Sequence, residues 1–114
     1  VLRGAIMHAR HIDGFSLRNA DMRNIHFIAM DVLFSDFTGS DMRYADFHNV
    51  EFDRTTLIEV DFESSIFDDV RFHHSDLTGA NLTAVSLVDV TWYDTICPDG
   101  TNSDNNGYTC ENNL

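Results

Sequence analysis

The chain contains no lysine, and its seven arginines stand against nineteen aspartates and glutamates, giving a formal charge of −12 over 114 residues. Such a balance makes direct nucleic-acid binding unfavourable, because affinity for that backbone comes from cations meeting phosphates. An anionic membrane surface is disfavoured on the same grounds. Proline is nearly absent: Pro98 stands alone, so nothing of that kind interrupts residues 1–97. No apolar run approaches the ~18 residues of a membrane-spanning helix. No signal peptide precedes Val1-Leu2-Arg3-Gly4, which reads as the start of a mature or trimmed fragment. Also missing are a glycine-rich phosphate loop, a nucleophile motif and a carboxylate pair in an evident cleft. No catalytic residue, cofactor or enzyme activity is therefore expected.

What is present is a beat of five. Every fifth residue from Leu2 to Cys97 is apolar: Leu2, Met7, Ile12, Leu17, Met22, Phe27 and so on through Phe67, Phe72, Leu77, Leu82, Leu87 and Trp92. With 43% hydrophobic residues, chance gives this alignment about once in a few million trials. An α-helix cannot use the spacing, since five residues overshoot a full turn by about 140°. A flat strand fails too, because an odd step alternates faces. What remains is a coil that turns a corner every five residues and points the same position inward each time.

A second period of twenty gives the number of sides. Val50, Val70 and Val90 match; so do Phe52, Phe72 and Trp92, and Phe27, Phe47 and Phe67. Ser35, Thr55, Ser75 and Thr95 form another such set, and Asp21, Asp41, Asp61 and Asn81 a fourth. Residues stacked on successive rungs share one ladder of contacts, so four sides per rung follow. The bulky residue, together with a small residue two places before it, fills the bore. Arg10, Phe15, Ile25 and Met30 occupy small-residue positions, so the first rungs are expected either to be distorted or to belong to an imperfect terminus.

Ala20-Asp21-Met22, Ser40-Asp41-Met42, Ala45-Asp46-Phe47 and Ala80-Asn81-Leu82 resemble the A-(D/N)-L-x-x motif of pentapeptide-repeat proteins. The resemblance covers about residues 1–97. It implies an all-β fold, a right-handed quadrilateral β-helix of about five coils of twenty residues, followed by a capping tail over 98–114. It also implies a non-catalytic scaffold or interaction module. Some family members imitate DNA in shape and charge and bind DNA gyrase, which makes an acidic gyrase-binding mimic, or one binding another nucleic-acid-binding protein, the alternative reading.

The aspartate before each core residue reads as a corner device, its short side chain bonding nearby backbone amides. Arg3, Arg23 and Arg43 run in a column beside Asp21, Asp41 and Asp61, and no arginine or lysine follows Arg71. Asp68, Asp69, Asp89 and Asp94 thus belong to an anionic half that keeps the rod in solution or steers a basic partner. Leu33 and Phe34 fall at outward positions and, with Tyr44, complete the candidate interaction surface. The partner expected is an unidentified protein. A homo-oligomer through the uncapped first coil, where Leu2, Met7, Ile12 and Leu17 lack a neighbour, is a further expectation.

The six histidines include His26 and His48 on neighbouring rungs and the adjacent His73-His74; adjacent corner residues diverge, so no metal site is expected. Asn102, Asp104, Asn106 and Gly107 resemble half a calcium loop, but its twelfth position is Asn113, and the segment reads as a turn. Cys97 and Cys110 are either unrelated thiols or a disulfide folding this tail over the last rung. Exported members of the family carry a similar Pro-Asp-Gly tail, and the resemblance therefore implies the bridge. An oxidised pair places the protein outside the reducing cytosol, in a periplasm, an organelle lumen or the extracellular space.

Overall fold

The computed structural model describes residues 2–8 and 11–114; Arg10 lies outside the described residues. Among the described residues seven strands form, β1 (Ile6–His8), β2 (His11–Asp13), β3 (His26–Leu33), β4 (Asp46–Asp53), β5 (Ile66–His73), β6 (Ser86–Val88) and β7 (Thr91–Tyr93). All pair in parallel at a register of twenty, as Ile6↔His26↔Asp46↔Ile66↔Ser86 shows. Isolated bridges carry the other two sides, Ser16↔Asp36↔Thr56↔Asp76↔Ile96 and Asp21↔Asp41↔Asp61↔Asn81. The result is a β-solenoid of four full turns and five stacked levels. Its two shorter extents are equal at 24 Å, as a square section requires. At ~4.8 Å per level the stack is about 24 Å long, and the 35 Å long extent includes the tail that follows it.

The corner is made by one backbone conformation. Every described residue two places after a core residue, from Gly4 to Asp94, has positive φ, among them Asn19, Asn24, Phe34, Tyr44, Asn49 and Asp69. A left-handed residue reverses the direction of an extended chain within one step, and side chains branched at Cβ are the least able to adopt it. The sequence obeys that rule: no Val, Ile or Thr occupies any of these positions. Asn49→Val is accordingly expected to cost about 1–2 kcal/mol in urea unfolding, whereas Asn49→Gly changes stability little.

Inside, Phe52, Phe72 and Trp92 form one interior stack, the rings 5.4 and 4.8 Å apart and nearly parallel. Phe27, Phe47 and Phe67 meet edge to face at 5.5 and 5.3 Å. The small residues before them are buried and solve the hydrogen-bonding problem of the bore. Ser65 Oγ donates to the Met42 carbonyl at 2.8 Å and accepts the Ala45 amide at 3.1 Å; Ser75 does the same for Phe52 and Thr55. A hydroxyl donates once and accepts as well, so each one ties two levels together. Ile25 and Met30, expected to distort the first rungs, are instead fully buried within a regular ladder. Phe15 does not fit inside and is 50% exposed. Trp92 Nε1 is the one buried side-chain polar atom among the described residues that lacks a partner.

The tail imitates a further level at one column. Ser103 is buried, its amide donates to the Thr95 carbonyl at 2.8 Å, and its Oγ accepts the Thr95 amide at 3.1 Å. Ser35, Thr55, Ser75 and Thr95 are thus followed by a fifth hydroxyl supplied from outside the repeat. The 3-10 turn Ser103–Asn105, capped by the Asn102 side chain, holds it there. Cys97 and Cys110 are bonded to one another.

Candidate functional site

With the bore filled, chemistry that faces solvent resides on four outer sides. On the side carrying Asp21, Asp41 and Asp61, each carboxylate accepts the backbone amide two residues on, at 3.4, 3.2 and 3.0 Å. The corner-device reading of these acids therefore holds. Guanidinium groups alternate with them up the side: Asp21 lies 2.7 Å from Arg3 and 2.9 Å from Arg23, and Arg43 lies 2.8 Å from Asp41 and 3.9 Å from Asp61. The ladder ends there, because Glu63 stands where the next arginine is due.

These contacts displace carboxylate titration downward. Asp21 falls far below the ordinary carboxylate range, held first by Arg23 and then by Arg3. Asp41 is lowered chiefly by Arg43, Asp36 and Asp99 by the hydroxyls of Thr38 and Thr101, and Asp94 by Asn102 ahead of His74. A carboxylate whose folded pKa is depressed stabilises the fold above its unfolded value, about 3.9, and that contribution is lost as pH falls through the folded value. The melting temperature is thus expected to hold from pH 7 to about pH 4.5 and to drop below pH 4. A melt recorded by circular dichroism at each pH measures this, and a steep loss already at pH 5.5 contradicts it. Asp94 and Asp99 are exposed and Asp21, Asp36 and Asp41 only half-buried, so solvent screening keeps each contribution small.

Four of the six imidazoles face carboxylates of neighbouring levels: His26 and Asp46 at 3.2 Å, His48 and Asp68 at 3.6 Å, His73 and Glu51 at 3.4 Å, His74 and Asp94 at 2.9 Å. Among the described residues no group of three or more His, Cys, Asp or Glu side chains is placed to hold a metal ion. In the tail, Asn102 donates to Asp94 and Asp104 accepts the Asp94 amide, so both are engaged in closing the end of the rod.

The candidate surface residues do not form one patch. Leu33 is half-buried and Phe34 is 59% exposed at one corner; Tyr44, 56% exposed, lies ten residues on. Ten residues are two sides of a four-sided coil, which puts Tyr44 at the opposite corner. Asp69 and Asp89 occupy successive levels of a third corner, with half-buried Asp68 beside them; Asp94 belongs to the corner of Phe34, three levels higher. Two neighbours of Phe34 escaped sequence reasoning. Arg54, one level up, holds its guanidinium 5.9 Å from the ring centroid, and Phe15, one level down, has its amide against Ser35 Oγ. The twenty-residue lag from Phe34 to Arg54 was a signal for the first.

The family profile described as pentapeptide repeats matches residues 20–57 and 45–84. The chain belongs to the pentapeptide-repeat family. A solved pentapeptide-repeat protein of the Arabidopsis thaliana thylakoid lumen superposes with a TM-score of 0.76 at 18% identity, covering 96% of this chain and 77% of that one. HetL, a pentapeptide-repeat protein involved in heterocyst differentiation regulation in the cyanobacterium Nostoc, gives 0.46 at 16% identity, over 89% and 59% of the two chains. QnrB1, a plasmid-mediated fluoroquinolone resistance protein, gives 0.30 at 13% identity, over 82% and 85%. No curated protein sequence matches the chain. Pentapeptide-repeat proteins are in general structural or interaction proteins rather than enzymes. The disulfide agrees with a place outside the reducing cytosol, and among the described residues no helix is long and apolar enough to cross a membrane.

Proposed function

We propose that this pentapeptide-repeat protein is a non-catalytic interaction module that works outside the reducing cytosol and binds a protein partner through its outer sides. The observation that carries this reading is the filled bore: Phe27, Phe37, Phe47, Phe52, Phe62, Phe67 and Phe72 are completely buried, which leaves no internal concavity of the kind substrates use. The outward positions are free of that constraint and vary from level to level. The proposed surface comprises Leu33 and Phe34, Tyr44, and the acids Asp68, Asp69, Asp89 and Asp94. Cross-linking in the compartment of origin, followed by mass spectrometry, tests it. Cross-links from these outer positions to a reproducible protein are the expected result; recovery of no partner at all sinks the reading. Alkylation of the native protein before reduction tests the compartment, since Cys97 and Cys110 escape labelling only when joined.

The charge of −12 favours a second reading, an acidic mimic for DNA gyrase or another nucleic-acid-binding protein. The arginine ladder counts against it, because Arg3, Arg23 and Arg43 neutralise the column best placed to imitate phosphates. A supercoiling assay in which the protein leaves gyrase untouched at micromolar concentration removes this option.

The first level offers a contact of another kind. A depression of about 420 Å³ opens there, lined by Ala5, Ile6, Met7, His11, Ile12 and Phe15. Self-association through it is measurable by light scattering, and a purely monomeric mass at high micromolar concentration overturns that part.

A further inference from the structure

We infer that the corner built by Leu33 and Phe34, with Phe15 beneath and Arg54 above, is the contact site for a basic protein segment in which lysines or arginines flank an apolar anchor residue. The inference rests on the interaction-module reading and goes further by choosing one corner and the chemistry of its partner.

Phe34 is doubly ill-suited to its position as far as folding is concerned. Its backbone is left-handed, φ 50°, a conformation in which bulky side chains are rare outliers. Its ring is more than half exposed and gains little packing in return. Equivalent corners elsewhere carry Gly14, Asn19, Asn24 and Asn49, and where they carry a long side chain it is polar or ionisable, as Arg54, Glu59, His74 and the phenol Tyr44 are; Phe34 alone places a wholly apolar ring there. A residue that costs backbone energy and still presents an aromatic ring to solvent points to a use outside the fold. Phenylalanine and arginine side by side are also the composition of interface centres.

The frame around this apolar pair is anionic. Leu33 stands in register between Asp13 on the level below and Asp53 on the level above. Asp31 is two residues back along β3 and exposed, and Asp13 is exposed as well. Among the described residues the arginines of this region are engaged, Arg54 with Asp53 at 2.9 Å and Arg18 with Asp36 at 3.7 Å, so the exposed Asp13 and Asp31 supply the anionic part of the frame. An apolar anchor ringed by carboxylates complements a segment of the opposite design, and the net charge steers such a segment toward the rod.

Tyr44 is left-handed and exposed too, yet it stands alone. Its column reads Gly4, Asn24, Ser64 and Ala84, and no second large apolar residue flanks it. The opposite corner is therefore left out.

The test uses a displayed library of random twelve-residue peptides selected on the whole protein in 150 mM NaCl, with Phe34→Asn as the variant. Asparagine is what this chain already uses at three such corners, so the variant is expected to melt at the same temperature or up to about 4 °C higher. Enriched peptides are expected to carry Lys or Arg around an aromatic or aliphatic residue, and to bind Phe34→Asn at least ten-fold more weakly. Leu33→Asp is expected to show the same loss. Three results overturn the inference: no enrichment at all, enriched peptides without cationic flanks, or undiminished binding to Phe34→Asn. In the last case peptide binding survives and so does the interaction-module reading, with another side as its surface.

Discussion

Phe47→Ala is expected to remove about 4 kcal/mol of folding stability, the largest effect of any single truncation in this chain. Phe47 is fully buried at the third level. Its ring meets Phe27, Phe52, Phe62 and Phe67 with centroids 5.3–5.8 Å apart, so it packs against a neighbour above, a neighbour below and two adjacent sides. In a solenoid each level is stabilised by its interfaces with the next. A cavity at the third level weakens two interfaces, whereas one at the last level weakens one. Leu87, half-buried in the same column, is therefore expected to lose less than half as much on truncation to alanine. Phe47→Leu keeps most of the volume and is expected to cost under about 1.5 kcal/mol. Domains of this size hold roughly 5–15 kcal/mol in total, so urea unfolding resolves the difference readily. A loss below 2 kcal/mol for Phe47→Ala contradicts the picture of a shared aromatic core.

Much of this architecture is written in the sequence because a four-sided coil leaves two independent records of itself. The period of five fixes which residues enter the bore, and the period of twenty fixes which ones touch. Together they are enough to place Phe52, Phe72 and Trp92 in one stack without coordinates. A third record went unread: the absence of Val, Ile and Thr from every corner position, which is the mark of a left-handed residue there. The expected distortion at Ile25 and Met30 failed for a physical reason. The small-residue position is a volume constraint shared by a whole level, and larger residues fit at some sides when others are small, as Ala20 and Ser35 are.

The outer surface is less legible because nothing repeats there by necessity. Counting in fives turned Leu33, Phe34 and Tyr44 outward, and Phe34 and Tyr44 are exposed while Leu33 is half-buried; grouping them required the step from ten residues to opposite corners. The histidines show the same limit. His26, His48, His73 and His74 face acids of adjacent levels, because outward positions about twenty apart lie one above the other. Asp46 above His26 and Asp94 above His74 are pairs of this type.

Loss of the Cys97–Cys110 bridge is the second large effect expected. The two cysteines are thirteen residues apart, and closing a loop of that size restricts the unfolded chain by ~3 kcal/mol. The double variant Cys97→Ser/Cys110→Ser is expected to melt about 10 °C lower, and a thiol reductant is expected to lower the wild type equally while leaving the double variant unchanged. A second readout separates this from a general weakening. The one tryptophan, Trp92, is stacked on Phe72 at the last level and is 3% exposed. Release of the tail uncovers that end of the bore, so tryptophan emission is expected to shift to longer wavelength well below the melting temperature, while the circular dichroism of the coils persists. If emission and circular dichroism instead change together, the bridge stabilises the rod as a whole and the tail does not open separately. Hydrogen bonds decide between these outcomes. The tail is tied to the rod by two bonds between Ser103 and Thr95, by Asp104 and Asn102 to Asp94, by the Gly79 amide to the Pro98 carbonyl and by the Cys97 amide to Thr101, at about 1 kcal/mol net each. These bonds act only while the tail is already in place, and ordering seventeen turn-rich residues costs more than they return. Without the covalent tie the tail therefore opens first.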